Sequence, residues 1–290
     1  MIYAALSTLC ILVFSQTLRY SQVRGARDYV AGAVNYCLAA VLAGVALAAV
    51  AGRPGVALWP TALLGVANGA SFFGQFLLIL AAYRLAGVGI TTAVGCAGIV
   101  VPVLVSWRLW GEPMTPWRWV ALGVVPVSML LMRRKNELHP HLSWKADLVL
   151  AAIFLNSGLS YTLHKAANIY LPAARAEMIL FLRPHQIVYE AFLFATAAAL
   201  SSAYAVARRG RLGKADLALG SVMGLANVLA VMLSVVGLGV VAAGVFLPTV
   251  TCASVSLSAA VSWVLWREKL TPRQIVGLAA AAGVVVLVNL

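Results

Sequence analysis

The chain has 290 residues, of which 63% are hydrophobic and only 10% are charged. A soluble globular domain carries about 25% charged residues, so the composition excludes this class and favours an integral membrane protein. The net charge of +13 does not indicate nucleic-acid binding. The basic residues fall in the breaks between apolar runs, where the positive-inside rule places them.

Ten apolar runs follow one another along the chain, and each could cross a hydrocarbon core of about 30 Å as a helix. They cover residues 2–19, 29–51, 58–82, 87–109, 116–132, 147–169, 183–206, 216–237, 239–265 and 272–289. A membrane barrel would need alternating segments of about 10 residues, which the sequence lacks. We therefore predict an all-α integral membrane protein with ten transmembrane helices.

One segment occurs twice, 156 residues apart. Residues 105–116 read VSWRLWGEPMTP and residues 261–272 read VSWVLWREKLTP. A second match, GVAN at 65–68 and GLAN at 224–227, supports the same pairing. We predict a first five-helix repeat at 1–135, a linker at 136–145 and a second repeat at 146–290. Because five crossings are an odd number, the repeats insert in opposite directions and enclose a central cavity, as is typical of secondary transporters.

The basic residues also predict an orientation. Fifteen of the 21 Lys and Arg residues lie in the odd-numbered loops. The positive-inside rule then places these loops in the cytoplasm and both termini outside.

At the two Trp/Glu/Thr-Pro segments the chain resembles the drug/metabolite transporter superfamily, in its ten-helix EamA-type branch. The resemblance is carried by residues 89–93, 101–102 and 111–115 in the first half, and by residues 247–248 and 267–271 in the second. It implies a transporter of small metabolites or drugs, and we expect a multi-pass protein of the bacterial inner membrane. Members of this family usually keep both termini in the cytoplasm, which conflicts with the charge count, so both orientations stay open.

Polar side chains recur at helical spacing inside the apolar runs. Because such groups are costly in a membrane, they either line a wet cavity or hydrogen-bond neighbouring helices. As candidate substrate-binding residues we select Asn68, Ser71, Gln75, Thr92, Asn156, Ser160, Tyr161, His164, Asn227 and Thr251.

Glu190 and His185 are the candidates for proton coupling. Glu190 lies two turns into the seventh run, and Arg183 and Gln186 share its predicted helical face. A carboxylate at this depth could exchange a proton or hold a cationic substrate. The alternative is that Arg183 neutralises it in an ion pair that fixes the helix end.

Four further residues belong to the duplicated segment. We expect Glu112 and Glu268 to be interfacial charges that stabilise the N-terminus of the following helix. Trp107 and Trp263 are either aromatic-belt residues or cavity walls.

The sequence has no motif of an intramembrane hydrolase, of a metalloprotease or of an ATP-binding loop. We therefore expect no enzyme, no cofactor and no metal site. The predicted function is alternating-access export of a neutral or zwitterionic, amino acid-like metabolite or a drug, with proton coupling left open. The alternatives are a lipid flippase and a non-transporting scaffold subunit. The expected partners are the substrate and the bilayer, and the protein is expected to be a monomer, with a dimer as the alternative.

Overall fold

The computed structural model describes residues 1–25, 27–50, 58–86, 88–132, 144–170, 183–265, 267 and 271–290. These residues form eleven helices and no strand. The helices are α1 (Ile2–Val23), α2 (Asp28–Val50), α3 (Leu58–Leu85), α4 (Val88–Ala97), α5 (Val100–Trp110), α6 (Pro116–Met132), α7 (Trp144–Ile169), α8 (Pro184–Ala207), α9 (Lys214–Val240), α10 (Ala243–Leu265) and α11 (Pro272–Leu287). The predicted all-α class is confirmed.

The helices are long and apolar enough for a multi-pass membrane protein. Among the described residues, eight spans have the length and hydropathy to cross a bilayer, with α4 and α5 counted as one span. The apolar helices α6 and α11 are shorter, at 17 and 16 residues. Every one of the ten predicted runs coincides with helix, but ten crossings remain a prediction.

The fourth apolar run is predicted as one helix. In the structure this helix is interrupted at Gly98 and Ile99. Proline has no backbone N–H, so Pro102 cannot donate to the carbonyl of Gly98 four residues earlier. The chain closes the gap with tighter bonds, in which the N–H of Val101 donates to Gly98 O at 3.1 Å. The proline therefore separates α4 from α5.

The chain forms two compact units, and each contains segments of both predicted repeats. Unit 1 comprises Met1–Phe73 and Leu163–Val240, and unit 2 comprises Gly74–Thr162 and Val241–Leu290. These units do not coincide with the predicted halves. The repeat boundaries stay a prediction, and residues 136–143 of the linker lie outside the described part of the chain.

In unit 1, α1 and α9 run antiparallel. Near the start of α1, Ser7 Oγ lies 2.9 Å from Ser234 Oγ in the last third of α9. Just beyond the other end of α1, the backbone N–H of Arg27 donates to Asp216 Oδ1 at the start of α9, at 2.9 Å. Contacts at both ends fix the two helices side by side.

Two glycine contacts in unit 1 repeat each other at corresponding positions. A Cβ on Gly65 of α3 would lie 2.5 Å from Tyr189 O and 2.9 Å from Phe192 Cβ of α8. A Cβ on Gly224 of α9 would lie 2.7 Å from the backbone oxygen of α2 residue 35 and 3.1 Å from the Cβ of residue 38. The two glycines are 159 residues apart in sequence, and their partners are 154 apart. The contact of α3 with α8 therefore resembles the contact of α9 with α2.

In unit 2, α6 and α11 pack antiparallel. Gln274 in the first turn of α11 donates from Nε2 to Met132 O at the last residue of α6, at 3.1 Å. Gly277 also packs against Met132. Thr115 precedes α6 and Thr271 precedes α11, so the two Thr-Pro helix starts lie at opposite ends of this pair.

Candidate functional site

The most buried polar cluster of unit 1 joins α3, α7 and α8. Asn68 Nδ2 donates to Tyr189 Oη, and Tyr189 Oη lies 2.9 Å from His164 Nδ1. Asn68 Nδ2 is also 3.4 Å from His164 Nδ1. The three side chains thus form one hydrogen-bonded network that joins three helices.

Aromatic rings close this cluster on one side. The ring of Phe72 meets His164 edge-on at 5.9 Å between centroids, and it also contacts Phe194 and Tyr36 at 6.4 and 6.5 Å. Asn68 is 0% exposed and His164 is 2% exposed. The contacts of these two residues hold the helices of unit 1 together. A role in substrate binding stays a prediction.

Glu190 is buried next to the cluster, directly after Tyr189 on α8. Its side chain is 3% exposed, and Oε1 accepts no hydrogen bond from any described residue. The alternative reading, in which Arg183 neutralises Glu190 in an ion pair, is not supported by the positions of these two residues. The side chain of Arg183 is exposed at the start of α8, while its backbone N–H donates to Gln186 Oε1 at 2.9 Å.

The other proton-coupling candidate, His185, is also buried. It is 7% exposed, and its Nε2 has no hydrogen-bond partner among the residues described. His185 and Glu190 are five positions apart, which separates them by more than a quarter turn on the same helix. The structure therefore gives α8 two buried titratable side chains on different faces.

Sequence reasoning missed a polar network between the ends of α7, α8 and α9. Gln186 Nε2 donates to Asn168 Oδ1 at 2.7 Å, and Asn168 Nδ2 donates to Val235 O at 2.9 Å. Lys165 Nζ donates to Leu238 O at 2.7 Å. The last carbonyls of a helix have no intrahelical partner and attract cations. A buried lysine followed by an asparagine in an apolar run was the signal available in the sequence.

In unit 2, the predicted polar faces of α3 and α7 do meet. Asn156 Nδ2 donates to Gln75 Oε1 at 2.9 Å, and Gln75 Nε2 donates to Ser157 Oγ at 2.9 Å. A Cβ on Gly98 would lie 2.7 Å from Ser157 Cβ. Both ends of the Gln75 amide are therefore used in holding helices together.

The other candidate residues are distributed over both units. Asn227 Nδ2 donates to Asn35 Oδ1 at 3.2 Å, and Ser71 and Thr251 are buried. Ser160 and Tyr161 are half-buried, whereas Thr92 is exposed. Their predicted role in binding is not tested by these positions.

Glu112 contacts the N-terminus of a helix that the sequence did not indicate. Its Oε2 accepts the backbone N–H of Ala243 at 2.7 Å, at the N-terminus of α10 rather than of the following helix α6. The tertiary approach of α10 brings free N–H groups to the carboxylate. Its counterpart Glu268 lies outside the described residues. Trp107 and Trp263 are 43% and 58% exposed, and their role as belt residues or cavity walls stays a prediction.

No model of a protein family matches this sequence, and no curated protein matches it. Solved structures do match it, in 28 chains. One of them, described as "Crystal structure of protein", aligns with 99% of this chain and 94% of its own, with a TM-score of 0.73 and 14% identity. At this identity the similarity shows a shared fold and carries no function.

Proposed function

We propose that this protein is a secondary transporter of the drug/metabolite transporter superfamily, EamA type, in the bacterial inner membrane. It moves a small neutral or zwitterionic metabolite, amino acid-like in character, or a drug by alternating access. Ten helices in two inverted repeats form the pathway, and export is the proposed direction.

The observation that carries this proposal is the exchanged glycine packing in unit 1. Gly65 lies against Tyr189 and Phe192 just as Gly224 lies against Asn35 and Leu38. A single duplicated unit whose copies interlock in this way is the construction of inverted-repeat transporters. The antiparallel pairing of α6 and α11 supports the same reading, because it separates the two Thr-Pro helix starts.

Glu190 is the proposed coupling residue. A carboxyl group at membrane depth is costly unless it is paired or functional. Oε1 of Glu190 accepts no hydrogen bond from any residue that the structure describes, which supports a functional role for this carboxyl group. Protonation in one conformation and release in the other would let a proton gradient drive the cycle.

The test uses the full-length protein in liposomes under an imposed pH gradient, with a panel of radiolabelled amino acids and cationic drugs. Wild type is expected to transport at least one compound, with a rate that depends on the gradient. Glu190→Gln is expected to keep gradient-independent exchange and to lose gradient-driven accumulation.

Asp147→Asn is the matched control, because Asp147 is an exposed carboxylate on α7 and is expected to leave transport unchanged. Unaltered gradient dependence in Glu190→Gln would remove Glu190 from coupling. Translocation of a labelled phospholipid without transport of any panel compound would favour the flippase alternative instead.

A further inference from the structure

An apolar groove of about 520 Å³ lies between α2, α8 and the start of α9 in unit 1. Its wall on α2 extends from Val30 to Val41, about 16 Å along the helix axis at 1.5 Å per residue. This length corresponds to one leaflet of a core about 30 Å thick. Val41 and Val206 line the groove and are 61% and 76% exposed, so it opens to the outside of the unit.

A basic cluster lies at one end of this groove, in the connection between α8 and α9. It consists of Arg208, Arg209, Arg211 and Lys214, all with exposed side chains. Val206 and Leu212 line the groove, and Arg208 and Arg209 lie between them in the sequence. Apolar wall and cationic rim are therefore contiguous along the chain.

The carboxylate nearest in sequence, Asp216, does not neutralise the cluster. Its two oxygens accept the backbone N–H groups of Arg27 and Gly213, at 2.9 and 3.0 Å. The Arg27 guanidinium in turn donates to Arg211 O at 3.2 Å. In the described part of the chain no ion pair engages the four cationic side chains. Asp216 fixes the backbone of this connection and leaves its charges available.

We propose that this groove binds one anionic phospholipid, with an acyl chain between α2, α8 and α9 and the phosphate on the basic cluster. An apolar groove alone would accept any lipid, whereas the cationic rim selects for negative charge. Basic sites next to membrane-spanning helices recognise anionic headgroups through this combination. The lipid is bound to unit 1 as a structural lipid and is not the transported substrate. The proposal is therefore independent of the transport function.

The test counts lipids bound to the full-length protein by native mass spectrometry during titration with phosphatidylglycerol or phosphatidylcholine. One phosphatidylglycerol is expected to bind in preference to phosphatidylcholine. Each basic residue near a headgroup contributes about 1 kcal/mol, so Arg211→Gln/Lys214→Gln is expected to weaken this binding about 30-fold. Arg108→Gln/Lys145→Gln, which removes two exposed charges of unit 2, is expected to leave it unchanged.

A second pair of variants tests the acyl-chain position. Cys37→Phe fills the groove and is expected to displace the lipid, whereas Val45→Phe on the exposed surface of the same helix is not. Glycerol phosphate, which has the charge but no acyl chain, is expected not to compete. Equal binding of both lipids, equal loss in both charge variants, competition by glycerol phosphate, or a change of oligomeric mass in place of lipid loss would each overturn the proposal.

Discussion

The contact between α3 and α8 makes a sharp prediction about Gly65. In an ordinary helix interior, replacing glycine with alanine stabilises by about 1 kcal/mol. At Gly65 the added methyl carbon would lie 2.5 Å from the backbone oxygen of Tyr189 and 2.9 Å from Phe192 Cβ. Neither atom is the end of a flexible side chain, so the helices themselves must separate.

The magnitude follows from these two opposing effects. Overpacking of a close contact typically costs about 1–3 kcal/mol. The added methyl group at Gly65 would meet backbone atoms of α8, which cannot rotate away, so the expected cost lies at the upper end of this range. Gly65→Ala is therefore expected to destabilise unit 1 by about 1–2 kcal/mol net of the gain in helix propensity.

Gly74 of the same helix provides the matched control, because a Cβ there would meet nothing within 4 Å. Gly74→Ala is expected to stabilise by up to about 1 kcal/mol. Gly224→Ala, which meets a backbone oxygen at 2.7 Å, is expected to change stability in the same direction as Gly65→Ala.

Thermal unfolding of the purified protein in detergent, followed by circular dichroism or by an intrinsic-fluorescence shift, measures all three variants. We expect the midpoint to fall for Gly65→Ala and Gly224→Ala and to rise for Gly74→Ala. A rise in Gly65→Ala equal to that in Gly74→Ala would refute the close packing of α3 on α8. It would also remove the main support for the exchanged packing of the two halves.

Two other predictions concern polar contacts. Tyr189→Phe removes the hydroxyl that accepts from Asn68, so it is expected to lower the free energy of unfolding by about 1 kcal/mol. An unchanged unfolding midpoint would show that the network does not contribute to stability. Glu112→Ala removes the acceptor for the N–H of Ala243 and is expected to cost about 1 kcal/mol, most of which Glu112→Gln should recover; equal loss in both variants would show that charge, and not the hydrogen bond, stabilises α10.

Much of the architecture could be predicted from local patterns. Hydropathy located the helices of the described residues, with α4 and α5 as a single run, because a membrane span must bury its own backbone polar groups and cover them with apolar side chains. The match between GVAN and GLAN includes Gly65 and Gly224, and the structure shows a close helix contact at each of these two glycines.

The polar residues are harder to assign from sequence, because a side chain that lines a cavity and one that bonds a neighbouring helix have the same spacing. Asn68 and His164 share a face with other polar groups in either case. Only the positions of Tyr189 on α8 and of Phe72, one turn beyond Asn68 on α3, showed a closed network around them.

The sequence by itself determined that the chain is an apolar, all-helical protein with a repeated segment, since composition and periodicity are local properties. Tertiary structure decided the partner of each polar group. Helical spacing allowed Arg183 to neutralise Glu190, yet Arg183 is exposed, and Oε1 of Glu190 accepts no hydrogen bond from the described residues. Likewise Glu112 accepts a hydrogen bond from the backbone N–H of Ala243 in α10, 131 residues away along the chain. Which free N–H group or charge a side chain meets depends on how distant helices pack, and that information is not contained in any single stretch of sequence.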